Sequence, residues 1–190
     1  MNRTTVGGPE LGGGRGAGGV LVLVDPTGGG HSPVAGLLAE ELYPSVHLRT
    51  DDFLRVIRNG RLPVELPEAG RQNATALAAA AQAAFAYATG GYQVVVECPE
   101  PPPSLATFRR ESRTTGAALH YVVLDAGPSA AEARNAPEAR IAPEAQNASE
   151  ARNEALEGAR HTLDTSALTP ETTAKAVLSA LTARTHLLGW

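Results

Sequence analysis

Five consecutive apolar residues, Val20-Leu21-Val22-Leu23-Val24, run directly into Asp25-Pro26-Thr27-Gly28-Gly29-Gly30-His31-Ser32-Pro33. An apolar run rich in β-branched residues and without polar alternation suits a strand buried on both faces, the kind found in parallel sheets covered by helices. The glycines end that strand. Ser32-Pro33 then opens a helix, because a proline in the first turn gives up an N–H that has no partner there anyway. Val34, Leu37, Leu38 and Leu42 recur at helical spacing, and Pro44 stops the helix. A turn of this kind between a buried strand and a helix start is a setting for a phosphate group, since backbone N–H groups and the helix dipole both favour an anion. Glycine also marks ordinary turns, so the loop alone leaves both readings open.

The remaining chain repeats the alternation. Val46 to Arg49 reads as a second strand, followed by Thr50-Asp51-Asp52-Phe53 and an irregular stretch with Pro63 and Pro67. An alanine-rich helix is expected from Asn73 to Ala88, ended by Gly90-Gly91, and Tyr92 to Glu97 forms a third strand. Pro99 and Pro101 to Pro103 bar its continuation. A helix at Ser104–Ser112, a fourth strand at Leu119–Leu124 and a short fifth at His161–Leu163 follow. Thr169-Pro170-Glu171 begins the last helix with a cap, a first-turn proline and an acid near the positive dipole end. The pattern predicts an α/β fold, a three-layer parallel sheet of about five strands with helices on both faces. Residues 1–19 are glycine-rich and read as a flexible tail, leaving 20–190 as one domain.

Within that domain, residues 130–153 are four tandem hexapeptides, AAEARN, APEARI, APEAQN and ASEARN. Their period does not match the helical repeat of about 3.6, and Pro137 and Pro143 interrupt a helix. The segment reads either as a solvated low-complexity insert or as a lid carrying Arg134, Arg140 and Arg152.

Composition narrows the partners. A net charge of −4 and a pI near 5.7 argue against a basic nucleic-acid surface. The lone Cys98 excludes an internal disulfide framework and a cysteine-rich zinc site, and reads as a buried apolar residue. The histidines show no metal-ligand spacing, and His47 reads as lining its strand. No apolar run approaches the ~20 residues of a membrane span, and no secretory leader is visible at the N-terminus. A soluble, cytoplasmic protein is expected, without nucleic-acid or membrane partners.

From Val20 to the C-terminal helix, the chain resembles the P-loop kinase-like proteins often labelled AAA-family ATPases, near chloramphenicol phosphotransferase and related small-molecule kinases. The resemblance rests on VLVLVDPTGGGHSPVAGLLAEEL (20–42), VHLRTDDFLRVIRNG (46–60), LPEAGRQN (66–73), GGYQVVVE (90–97), ALHYVVLDAGPS (118–129) and HTLDTSALTPE (161–171), in that order. It implies ATP and Mg²⁺ as cofactors and a small hydroxylated molecule as phosphate acceptor. It also implies that Gly28, Gly29 and Gly30 cradle the phosphates and that Ser32 offers its hydroxyl to Mg²⁺. Asp51 would accept the proton of the substrate hydroxyl, with Asp52 as its neighbour and fallback. Glu97 stands where the family usually has an aspartate that orients Mg²⁺ through water. Asp164 and Thr165 would lie near the adenine, and Arg134 and Arg140 would close over the nucleotide. Each has a plainer reading beside it. The Asp pair and Ser32 are also good helix caps, and Glu97 a solvated strand end.

The sequence departs from the P-loop pattern G-x-x-x-x-G-K-[ST] at two positions, with Asp25 for the first glycine and His31 for the lysine. Lys175, the only lysine, lies in the last helix and cannot replace it. An imidazole with an ordinary pKa of ~6.5 is cationic about a quarter of the time at pH 7, and a bound triphosphate would raise that fraction. His31 therefore enters as the candidate cation. Loss of one such contact costs on the order of 10²–10³ in rate. Two readings follow from the resemblance: a Mg²⁺-dependent phosphotransferase, and a catalytically inactive P-loop module with a regulatory or interaction role. A third leaves the glycine loop as a turn in an unrelated α/β protein.

Overall fold

The apolar run forms β1 (Gly19–Val24), buried along its whole length. The computed structural model describes residues 10–12, 18–25, 32–99, 105–127 and 159–188. Gly28, Gly29, Gly30, His31, Arg134, Arg140 and the hexapeptide segment lie outside the described residues. The elements after β1 are α1 (Pro33–Glu41), β2 (Ser45–Arg49), α2 (Thr50–Arg55), α3 (Gly70–Thr89), β3 (Gln93–Cys98), α4 (Ala106–Thr115), β4 (Ala118–Asp125), β5 (Thr162–Asp164) and α5 (Pro170–Thr182). One parallel sheet carries them in the order β2-β3-β1-β4-β5.

Strand alternation divides the core into two layers. Val20, Val22 and Val24 face α3 and α4, where Ala81, Ala84, Phe85, Ala88 and Phe108 pack. Leu21 and Leu23 face α1 and α5, against Val34, Ala35, Leu38, Ala174, Val177 and Leu181. Full burial of each such Val or Leu contributes roughly 1.5–3 kcal/mol, which is why β1 holds the centre of the sheet. The sandwich is the three-layer α/β architecture expected from the alternation of elements. Capping at α5 is also as the sequence suggests, with the Thr169 hydroxyl accepting from Thr172 N–H in a capping box.

Four details differ from the sequence reading. First, Leu11 is 3% exposed and belongs to the core, in a stretch that composition alone reads as tail. Its N–H donates to Gln93 Oε1 (2.8 Å) and its carbonyl accepts from His120 Nε2 (3.0 Å). Gly19, also assigned to the tail, begins β1, and a Cβ there would stand 2.6 Å from Leu11 Cβ. Glycine is thus required for this close approach, which a composition count cannot reveal. Second, Leu187 and Leu188, which as sequence read as an exposed tail that either makes a contact or frays, meet the sheet: Leu187 bridges His120 and Leu188 is buried. Third, Asp51 and Asp52 do not cap a helix. They lie in the first turn of α2, whose N-cap is Arg49 and makes no side-chain capping bond. Fourth, α3 starts at Gly70 rather than Asn73, because Pro67–Ala69 forms a 3₁₀ turn that leads into it.

Candidate functional site

In this strand order the chain passes from β1 over β3 to β2, and later from β3 over β1 to β4. Connections that leave β1 and β3 in opposite directions open a crevice beyond their C-terminal ends, the usual ligand position in open α/β sheets. Asp25 follows β1 directly, and its N–H donates to Cys98 O (3.1 Å), which extends the β1–β3 ladder to the rim of the crevice.

Ser32 is the N-cap of α1 and is 5% exposed. Its Oγ accepts from Ala35 N–H (3.3 Å) and donates to Asp25 Oδ2 (2.5 Å). Its own N–H donates to Glu97 Oε1 (2.7 Å). Glu97 is 1% exposed, and its second oxygen, Oε2, bonds His47 Nε2 at 2.9 Å. A carboxyl group this deeply buried stays only if its oxygens are bonded, and here both are. Asp25, itself 3% exposed, brings a second acid to Ser32 by accepting from its hydroxyl. Glu97 is therefore not a solvated strand end.

The next part of the site comes from α2. Thr50 Oγ1 donates to Glu97 O (3.2 Å), fixing the start of α2 against the end of β3. Burial pushes the Cys98 thiol up to about 12, opposed by a Thr50 hydrogen bond and reinforced by the nearby Glu97 and Asp51 carboxylates. Cys98 is thus a neutral, buried thiol, as its sequence context suggests, and Asp51 lies close enough to be felt by it. Asp51 is half-buried, whereas Asp52 is exposed and pairs with Arg55 (3.3 Å). Negative charge in this first turn also suits the helix dipole.

At the far side of the sheet, Asp164 ends β5. Hydrogen bonds from the Ser166 hydroxyl and N–H hold the Asp164 carboxyl below its usual range. Thr165 is buried and anchors to Asp125 O through its N–H (2.7 Å) and its hydroxyl (3.0 Å). The structure thus gathers Ser32, Glu97 and Asp51 at the β1–β3 crevice. Asp52 sits on its rim, and Asp164 and Thr165 lie at the same end of the sheet on the opposite edge strand.

Three residues of this arrangement were not singled out as site residues by sequence: His47, Asp25 and Arg49. Alternation places His47 and Arg49 on one face of β2, a readable signal. Their proximity to Glu97 depends on β2 pairing with β3, and no local pattern announces that pairing. The oxygen donors of Ser32, Asp25 and Glu97 are of the hard kind that suits Mg²⁺. Among the described residues no three His, Cys, Asp or Glu side chains are grouped to hold an ion by themselves. Mg²⁺ characteristically keeps several waters and takes one or two carboxylates plus phosphate oxygens, so the set fits an ion that arrives with a nucleotide.

Solved structures place this geometry in context. The Mycobacterium tuberculosis APS kinase, determined in complex with AMPPNP and APS, superposes with a TM-score of 0.58 at 19% identity, covering 87% of this chain and 98% of that one. The chain has a P-loop kinase-like fold. The Deinococcus radiodurans tunicamycin resistance protein is similar as well, with a TM-score of 0.53 at 16% identity over 86% of this chain and 95% of that one. At these identities the likeness is one of fold. No family model and no curated protein matches the sequence. Among the described residues no helix is long and apolar enough to cross a membrane.

Proposed function

We propose that the chain binds ATP with Mg²⁺ in the β1–β3 crevice and transfers the terminal phosphoryl group to a hydroxyl of a small molecule. One observation carries this reading: a buried Asp25–Ser32–Glu97 cluster sits at the N-terminus of α1, beyond the central strand of a P-loop kinase-like sheet. Burying two carboxyl groups beside one serine is costly for a fold, and suits a site that receives a cation together with an anion. In the transfer, the acceptor oxygen forms a bond to phosphorus as the bond to the ADP oxygen breaks, and Asp51 takes the hydroxyl proton. Ser32 and Asp25 would hold the hydrated ion, which when bound neutralises charge on the phosphate oxygens. Gly28, Gly29 and Gly30 would supply backbone N–H groups, with His31 as the cation of the loop. Asp164 and Thr165 would flank the adenine, and Arg134 and Arg140 would cover the phosphates.

A second reading, a nucleotide-binding module without turnover, draws on a specific feature. Each Glu97 oxygen already has a partner inside the fold, Ser32 N–H on one and His47 on the other, so this acid is engaged in holding the site together.

Calorimetric titration with ATP, with and without Mg²⁺ and at about pH 6 and pH 8, tests binding. The expected result is Mg²⁺-dependent binding that weakens at the higher pH as His31 loses its proton. Binding at neither pH overturns both readings. Turnover separates them: in a phosphotransferase, Asp51→Asn lowers kcat by ~10²–10⁴ while ATP affinity stays within about threefold.

A further inference from the structure

β2 is the edge strand of the sheet, and its alternation sets His47 and Arg49 on the same face. His47 reaches Glu97 on that face, and Arg49, the last residue of β2, lies in register with Glu97. The Nε and Nη2 atoms of Arg49 are both buried, and neither has a hydrogen-bond partner among the described residues. Asp52 Oδ1 lies 3.7 Å from Nη2, beyond hydrogen-bond reach, and is closer to Arg55 Nη1 at 3.3 Å.

The identity of the two atoms is informative. Nε and Nη2 form one side of the planar guanidinium, and their parallel N–H bonds match the two oxygens of a carboxylate or a phosphate. A dry, unbonded donor pair on a permanent cation is costly to a fold. That cost is offset when an oxyanion completes the pair.

We propose that the Nε–Nη2 edge of Arg49 is an oxyanion-binding fork at the C-terminal end of β2. The oxyanion is either the terminal phosphate of the nucleotide or an anionic group on the acceptor. This assignment of ligands rests on the kinase reading above. The fork supplies a fixed positive charge that the glycine loop lacks, because a guanidinium stays protonated at any working pH whereas His31 does not. Position favours the acceptor. β2 stands two strands from β1, about 10 Å away, on the side where Asp51 follows two residues later.

The test titrates inorganic phosphate into the full chain and into Arg49→Lys and Arg49→Gln, reading arginine Nε–H signals by NMR and affinity by calorimetry. The expected result is a phosphate-dependent shift of one Nε–H signal that both variants lack. Affinity should fall by about tenfold or more in Arg49→Lys, which keeps the charge but loses the fork. The shift is read in the unaltered protein, so it does not depend on how well the variants fold. An unmoved Arg49 signal, or equal phosphate affinity in Arg49→Lys, overturns the proposal.

Mg²⁺-free ATP added to the same proteins separates the two sources. A tenfold or larger loss in Arg49→Lys assigns the fork to the nucleotide, on the order of 1.4 kcal/mol. ATP affinity unchanged beside lost phosphate binding assigns it to the acceptor. ATP that binds none of the three proteins removes the kinase reading, and the Arg49 signal with phosphate still decides the fork.

Discussion

The two ends of the sheet bury polar groups for different purposes. At the N-terminal end, Gln93 and His120 reach out from β3 and β4 to hold one backbone segment, and Leu11 fills the apolar space between α1 and α5. Each of these two side chains makes a bond to Leu11, with His120 Nδ1 left without a partner among the described residues, and no acid takes part. At the C-terminal end, Asp25 and Glu97 converge on Ser32, His47 joins Glu97, and the outer edge of Arg49 has no hydrogen bond among the described residues. A cluster of buried acids beside a guanidinium edge that lacks hydrogen bonds is a poor way to gain stability, because removing charge from water costs more than most such pairs return. The contrast separates a structural clasp from the proposed ligand site, although both are buried.

The largest expected effect lies at the C-terminal end. Glu97→Ala leaves Ser32 N–H and His47 without their acceptors, and should lower unfolding free energy by roughly 2–4 kcal/mol. Urea unfolding with a fitted slope measures it. A loss below about 0.5 kcal/mol would break the comparison, because it would mean that water already serves those groups.

The clasp at the other end responds to pH. Burial holds the His120 imidazole below its ordinary value, with its Leu11 bond opposing that shift and Arg184 and His186 adding to it. Burial lowers His186 in the same direction. The unfolded chain therefore takes up protons more readily than the folded one. Stability should be full above about pH 6.5, and should fall as the pH drops through that value toward the folded pKa values. Unfolding midpoints at about pH 7.5 and pH 5.5 read this, and His120→Gln should flatten the dependence. An unchanged slope in that variant would move the effect to His186 and weaken the account of the clasp.

The smallest effect belongs to the rim. Asp52 is exposed, and its contacts with Arg49 and Arg55 are surface ion pairs. Asp52→Asn should change stability by no more than ~0.5 kcal/mol, with any change fading in high salt. A larger, salt-resistant loss would show that Asp52 is part of what keeps Arg49 buried, and would sharpen the boundary between rim and interior.

Much of the fold is legible in the chain. The unbroken apolar runs at 20–24 and 94–96 suit strands covered on both faces, and the capping signals at Ser32-Pro33 and Thr169-Pro170 mark two helix starts. These are local properties: side-chain periodicity and orphan N–H groups act within a few residues. The candidate acids Asp51 and Glu97 enter through the resemblance to P-loop kinase-like proteins, since no local pattern singles them out.

What the sequence could not supply is which strand lies beside which. His47 reads as an ordinary strand residue until β2 pairs with β3 and brings it to Glu97, 50 residues away. Asp25 reads as a flaw in a glycine pattern until Ser32 turns its hydroxyl onto it. Leu11 reads as tail because its neighbours are glycines. Its burial is decided by space between α1 and α5, by Gly19 beneath it, and by partners 82 and 109 residues further on. The sequence by itself determined the layers of this protein, since burial on one or both faces of an element follows from its own pattern. Only the tertiary structure decided the site, because bonds between distant residues depend on strand order and register, which many arrangements of the same layers would satisfy differently.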